Sequence, residues 1–147
     1  MSLFLIKKSI YFVVIVNIKY IMETTIKTKE ICPTATQTWV TKNALLIDVR
    51  ERDLVEQLSF DVPSIKYIPL SELEVRFEEI PMNQKVVFVC QDGVSSAEAA
   101  IFMTMKGYTN IMHMRRGIIR WAEKGYPVVG DTSEIVAHNC HSGEKCH

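Results

Sequence analysis

The chain has 147 residues, of which 48% are apolar and 23% charged, with Lys+Arg and Asp+Glu both at 17. That length suits one domain with a core of its own, and zero net charge gives no basic field for a general nucleic-acid binder. Cys32, Cys90, Cys140 and Cys146 are too few and too unevenly spaced for a disulfide framework, which points to a reducing, cytoplasmic setting or to reactive thiols.

Residues 1–23 are rich in Leu, Ile, Val and Phe, but Lys7, Lys8, Asn17 and Lys19 leave Ile10 to Val16 as the longest clean apolar run. This is far short of the roughly 20 residues a spanning helix needs, so no membrane crossing is expected. Two lysines ahead of an apolar core suit a signal peptide, yet no small-x-small cleavage site follows. The β-branched run Val13, Val14, Ile15, Val16 also admits a strand. The segment reads as an extension outside the domain, dispensable or a weak apolar anchor, with Met22 as the start of the working chain.

From Thr24 to Gly130 the pattern is that of one domain, residues 24–130. Thr25 to Glu30 alternates as a short strand, and Pro33 opens a helix through Trp39 and Val40 that Asn43 ends. Ala44 to Val49 is a buried strand, and Arg50 to Asp53 leads into a helix with Leu54, Val55 and Leu58 on one face. Ile65 to Ile68 is a third strand closed by Pro69. Ser71 to Ile80 is an amphipathic helix that Pro81 stops. Val86 to Val89 is a fourth buried strand, followed by a helix from a capping box at Ser95 and Glu98 to Gly107. Asn110 to Met114 and Gly117 to Lys124 complete the alternation. Strands and helices in this order predict an α/β fold with a parallel sheet covered on both faces, and a functional crevice at the carboxyl ends of the strands.

Cys90 falls at that end. A thiol between an apolar strand and a tight loop feeding a helix amino terminus sits where amides and the helix dipole favour negative charge. The attacking form of a thiol is the anion, so Cys90 is a candidate nucleophile; the alternative is a buried packing cysteine.

Four segments then resemble a known family in the right order. L-L-I-D-V-R-E at 45–51, D-V-P-S-I-K-Y-I-P-L-S-E-L at 61–73, the loop from Cys90 to Ser96, and G-I-I-R-W-A-E-K-G-Y-P-V at 117–128 are together similar to the single-domain rhodanese-like sulfurtransferases. The resemblance implies a five-stranded parallel sheet and a loop cysteine, Cys90, that takes a sulfane sulfur from a small-molecule donor as a persulfide. It then passes the sulfur to a thiol, cyanide or protein acceptor, with no cofactor required. It also implies that Gln91, Asp92, Gly93, Val94, Ser95 and Ser96 surround the transferred sulfur.

The chain departs from the family's C-x-x-G-x-R-S loop at two places. Ser95 stands where the arginine is usual and Asp92 adds a negative charge, which disfavours an anionic donor such as thiosulfate and the C-x5-R phosphatase chemistry. Arg115 and Arg116 stand where an acidic residue and a glycine are usual, and are candidates to replace the lost charge; otherwise they are solvated turn residues. Asp48 and Arg50 read as a structural polar pair, and His113 as a core histidine. A rival reading is a silent binding module of the same fold, and a third is a thiol redox or metal-handling protein.

The tail, residues 131–147, holds Cys140, His141, Cys146 and His147 as possible ligands for zinc or copper(I), although C-x5-C is not a usual zinc spacing. The alternatives there are a disordered end or a resolving thiol that accepts sulfur.

Overall fold

The computed structural model of the chain describes residues 3–136. Its elements in order are α1 (Leu3–Thr25), β1 (Lys29–Ile31), α2 (Pro33–Thr41), β2 (Leu45–Asp48), α3 (Arg52–Gln57), β3 (Leu58–Phe60), β4 (Ile65–Tyr67) and α4 (Leu70–Arg76). After a 3-10 turn (Phe77–Glu79) follow β5 (Val86–Val89), α5 (Val94–Met105), β6 (Ile111–Met114), α6 (Gly117–Glu123), β7 (Val128–Gly130) and α7 (Ser133–Val136). The expected α/β architecture is present: a five-stranded, all-parallel sheet in the order β1-β6-β5-β2-β4.

Every residue of β2, β5 and β6 is buried, as continuous apolar strands in a doubly covered parallel sheet require. Successive side chains point to opposite faces, so Phe88 and Cys90 pack with Ala99, Ala100 and Met103 of α5, while Val87 and Val89 pack with Ile118 and Trp121 of α6. Trp121 is fully buried and still satisfied, because its indole N–H donates to the Pro127 carbonyl at 2.9 Å.

Several boundaries differ from the sequence expectations. Residues 3–25 form a helix rather than carrying a strand at Val13 to Val16, and α1 displaces the start of the first strand to Lys29. Residues 6–21 of that helix are exposed, and no helix among the described residues is long and apolar enough to cross a membrane. Leu58 does not continue the α3 face; it opens β3, which pairs antiparallel with β7 through Leu58↔Gly130 and Phe60↔Val128. That pairing joins residues far apart in sequence, and each partner is a three-residue strand. The expected amphipathic helix at Ser71 to Ile80 is split into α4 and the 3-10 turn.

The sheet ends on a buried ion pair. Asp48 closes β2, and the Arg50 guanidinium grips its carboxylate from the side: Nε lies 3.0 and 3.1 Å from the two oxygens and Nη2 2.7 Å from Oδ2. Arg50 Nη1 also donates to the Leu58 carbonyl at 2.8 Å and to Gln91 Oε1 at 3.3 Å. Both side chains are essentially buried, at 2% and 0% exposure, and every lone pair taken from water has a replacement.

Removing one partner strands the other charge. Asp48→Ala is therefore expected to lower unfolding stability by about 3 kcal/mol or more. Urea titration reads this as a fall in midpoint at unchanged slope, and a loss below about 1 kcal/mol would show that the carbonyl partners alone satisfy Arg50.

Candidate functional site

Cys90 leaves the central strand β5 with its side chain 1% exposed. Gly93, at φ +103°, turns the chain back so that its N–H points at Cys90 Sγ with N···S 3.0 Å. The buried Ser96 lies on the other side, its Oγ 3.4 Å from Sγ while it donates to the Gly93 carbonyl at 3.1 Å. An inward-pointing amide and the amino terminus of the twelve-residue α5 make a small concave anion cradle around one sulfur atom.

A carboxylate stands beside that sulfur. Asp92 Oδ1 is 3.9 Å from Sγ and accepts the Val94 N–H at 3.0 Å. This bond corrects the expected capping box. Because Gly93 already carries the chain into the helix, α5 starts at Val94, with Gly93 as its N-cap and no side-chain cap bond at that residue. Asp92 meets the first helical amide, and Ser95 sits inside the first turn, half-buried.

The turn after β6 closes the loop from the side. Ile118 N–H donates to the Cys90 carbonyl at 2.9 Å. Gly117, at φ +56°, lies so close that a Cβ there would overlap the carbonyl oxygens of Cys90 and Gln91, while a Cβ on Gly93 would come within 2.8 Å of the Arg116 nitrogen. Two glycines thus let two loops pack backbone on backbone. Arg116 itself holds a left-handed φ of +62°, uncommon for a side chain of its size. Arg115 is exposed and reaches Glu30 at 3.9 Å, a loose surface pair of little energetic weight.

The structure therefore brings Gln91, Asp92, Gly93, Val94, Ser95 and Ser96 into one loop about Cys90 and sets Arg115 and Arg116 on the adjoining turn. The Gln91 side-chain oxygen accepts from Arg50 Nη1, and the Val94 side chain is exposed. His113 is buried in β6, its Nδ1 without a hydrogen-bond partner among the described residues. Burial holds its pKa below the usual histidine range, against the opposing pull of Glu30. Sequence reasoning missed the closeness of Gly117 to the loop and the Arg50–Gln91 bond; the only signal for the first was a glycine directly after two arginines. Cys140, His141, Cys146 and His147 lie outside the described residues. Among the described residues no group of three or more His, Cys, Asp or Glu is placed to hold a metal ion.

Comparison with known proteins agrees with the fold. A rhodanese-like domain model matches residues 34–124. A sulfurtransferase from Allochromatium vinosum is 33% identical over 89 residues, covering 60% of this chain and 81% of the relative. The thiosulfate sulfurtransferase GlpE of Haemophilus influenzae is 26% identical, covering 68% of this chain and 93% of the relative. Among solved structures, a rhodanese-related protein from Thermoplasma volcanium superposes with a TM-score of 0.61 at 30% identity, covering 70% of this chain and 99% of its own.

The loop contact at Gly117 makes a direct test. Gly117→Ala forces a Cβ against two carbonyl oxygens and strains a left-handed backbone, so it should cost about 2 kcal/mol and loosen the cysteine loop. Thermal melting reads the first effect, and faster iodoacetamide labelling of Cys90 reads the second. Parent-like labelling would show that the turn does not hold the loop shut.

Proposed function

We propose, given that the chain belongs to the rhodanese-like domain family, that it is a sulfurtransferase carrying sulfane sulfur on Cys90. The Cys90 thiolate attacks the outer sulfur of a donor; a sulfur–sulfur bond forms to Cys90 as the donor's own bond breaks, its electron pair leaving with the donor remnant. The product is a persulfide on Cys90. An acceptor thiolate or cyanide then attacks the terminal sulfur and returns Cys90 as thiolate. The sulfur rides on the protein's own thiol, so the cycle asks for no cofactor.

The observation that carries this reading is the Gly93 N–H aimed at Cys90 Sγ. A fixed amide and the α5 dipole stabilise negative charge on sulfur in the attacking thiolate, and on the persulfide that replaces it, without reorganisation during the reaction. Arg115 and Arg116, whose backbone abuts Gly93, are the cations that would serve an anionic donor in place of the arginine absent at Ser95.

A second reading has its own support. The Asp92 carboxylate beside Cys90 and the lack of a loop arginine favour a module that binds a partner or thiol metabolite without turnover. Intact mass after exposure to a sulfane-sulfur donor separates the two. The carrier gains one sulfur that cyanide or a thiol removes; a silent module gains none.

Cys90→Ser is expected to abolish that gain while Cys32→Ser keeps it, and full loading of the Cys90→Ser protein would overturn the assignment. Alanine at both Arg115 and Arg116 should slow loading by an anionic donor several-fold and flatten its salt dependence, because less attraction remains to be screened. Steady-state kinetics at two ionic strengths check this; parent-like rates would make both arginines solvated turn residues.

A further inference from the structure

Persulfide carriage does not need the Asp92 carboxylate. That carboxylate stands 3.9 Å from Cys90 Sγ and occupies the Val94 N–H at 3.0 Å, the first amide of α5. An incoming anion would otherwise find that amide open, because a helix amino terminus binds anions through such groups. The loop from Cys90 to Ser96 contains no Lys, Arg or His, and the arginines of the adjoining turn are exposed, Arg115 facing Glu30 at 3.9 Å. Asp92 is exposed while Cys90 is buried, so the carboxylate lies nearer the solvent than the sulfur it flanks.

We infer that Asp92 selects the class of donor: its carboxylate acts as a built-in anion that turns away oxyanionic donors such as thiosulfate and leaves the site to organic hydropersulfides. The inference rests on the sulfurtransferase reading above. With thiosulfate, the Cys90 thiolate takes the outer sulfur and sulfite leaves with the bond pair, so a dianion must be held beside Asp92 both before and after transfer. With a hydropersulfide, the thiol Cys90–SH and R–S–SH give Cys90–S–SH and R–SH. The donor then brings at most one negative charge, and its remnant leaves as a neutral thiol or a monoanion. Repulsion grows with the product of the charges, so the same carboxylate opposes the two donors unequally.

The test uses the full chain, Asp92→Asn and Asp92→Glu, each loaded with thiosulfate and with the hydropersulfide of β-mercaptoethanol, and followed by intact mass. Asparagine keeps an oxygen for the Val94 N–H and removes only the charge. Asp92→Asn should raise the rate of loading from thiosulfate by about tenfold or more, and from the hydropersulfide by less than about threefold, while Asp92→Glu keeps the parent's preference. An equal change with both donors, or none with either, would overturn the role of Asp92 while leaving Cys90 a carrier. Failure of all three proteins to gain sulfur from either donor would instead overturn the sulfurtransferase reading, and this inference with it.

Discussion

The carboxylate of Asp48 and the guanidinium of Arg50 hold the structure's working end together. Neither charge can return to water, so each dictates where its neighbours stand: Arg50 must find acceptors, and it finds them on Asp48, on the carbonyls of Leu54 and Leu58, and on Gln91. Its guanidinium also lies 5.6 Å from the centre of the Phe60 ring. One side chain therefore ties the end of a central strand, the exit of α3, the start of the β3–β7 pair and the cysteine loop. Such a pair adds little net stability compared with apolar packing, but it tolerates few alternative arrangements. A loop that must present one sulfur to one amide is well served by a foundation of that kind.

Much of this was legible in the sequence because the decisive signals are local. Val86 to Val89 is apolar at every position, which only a doubly covered strand explains, and Cys90 follows it directly. The helices after Pro33 and Gly117 were visible through a proline at the first turn and an apolar stripe. What failed was non-local or sub-residue in scale. The β3–β7 pairing depends on two three-residue segments meeting across the domain, and neither has a period long enough to read. The capping box misled because Ser95 and Glu98 have the right spacing, yet Gly93 at positive φ starts the helix earlier and hands the first amide to Asp92. The residues near Val13 to Val16 favour strand by propensity; without a partner strand, helical bonds satisfy their backbone instead.

Two loops meet at the carboxyl end of β5. The cysteine loop holds an amide, a helix terminus and a carboxylate, and the turn after β6 carries two exposed arginines. Backbone contact through Gly93 and Gly117 fixes the distance between these halves. Arg116 keeps a left-handed conformation that glycine would adopt without cost, so its side chain persists at that place against a local preference of about 1 kcal/mol.

The order of strands bears on how the chain is made. β1 pairs with β6 alone, Lys29 facing Met112, so the first strand to leave the ribosome waits for one of the last. At synthesis rates of about 5–20 residues per second, that interval is roughly 4–16 s. During it β2 and β5 can already pair, since Leu45 faces Val86, but the flank of β5 that will receive β6 stays open. An open strand flank beside exposed apolar residues is an aggregation template. Until β6 arrives, the strands available to the sheet from this half are β4, β2 and β5, and Cys90 lies at the end of the strand whose flank is still unpaired.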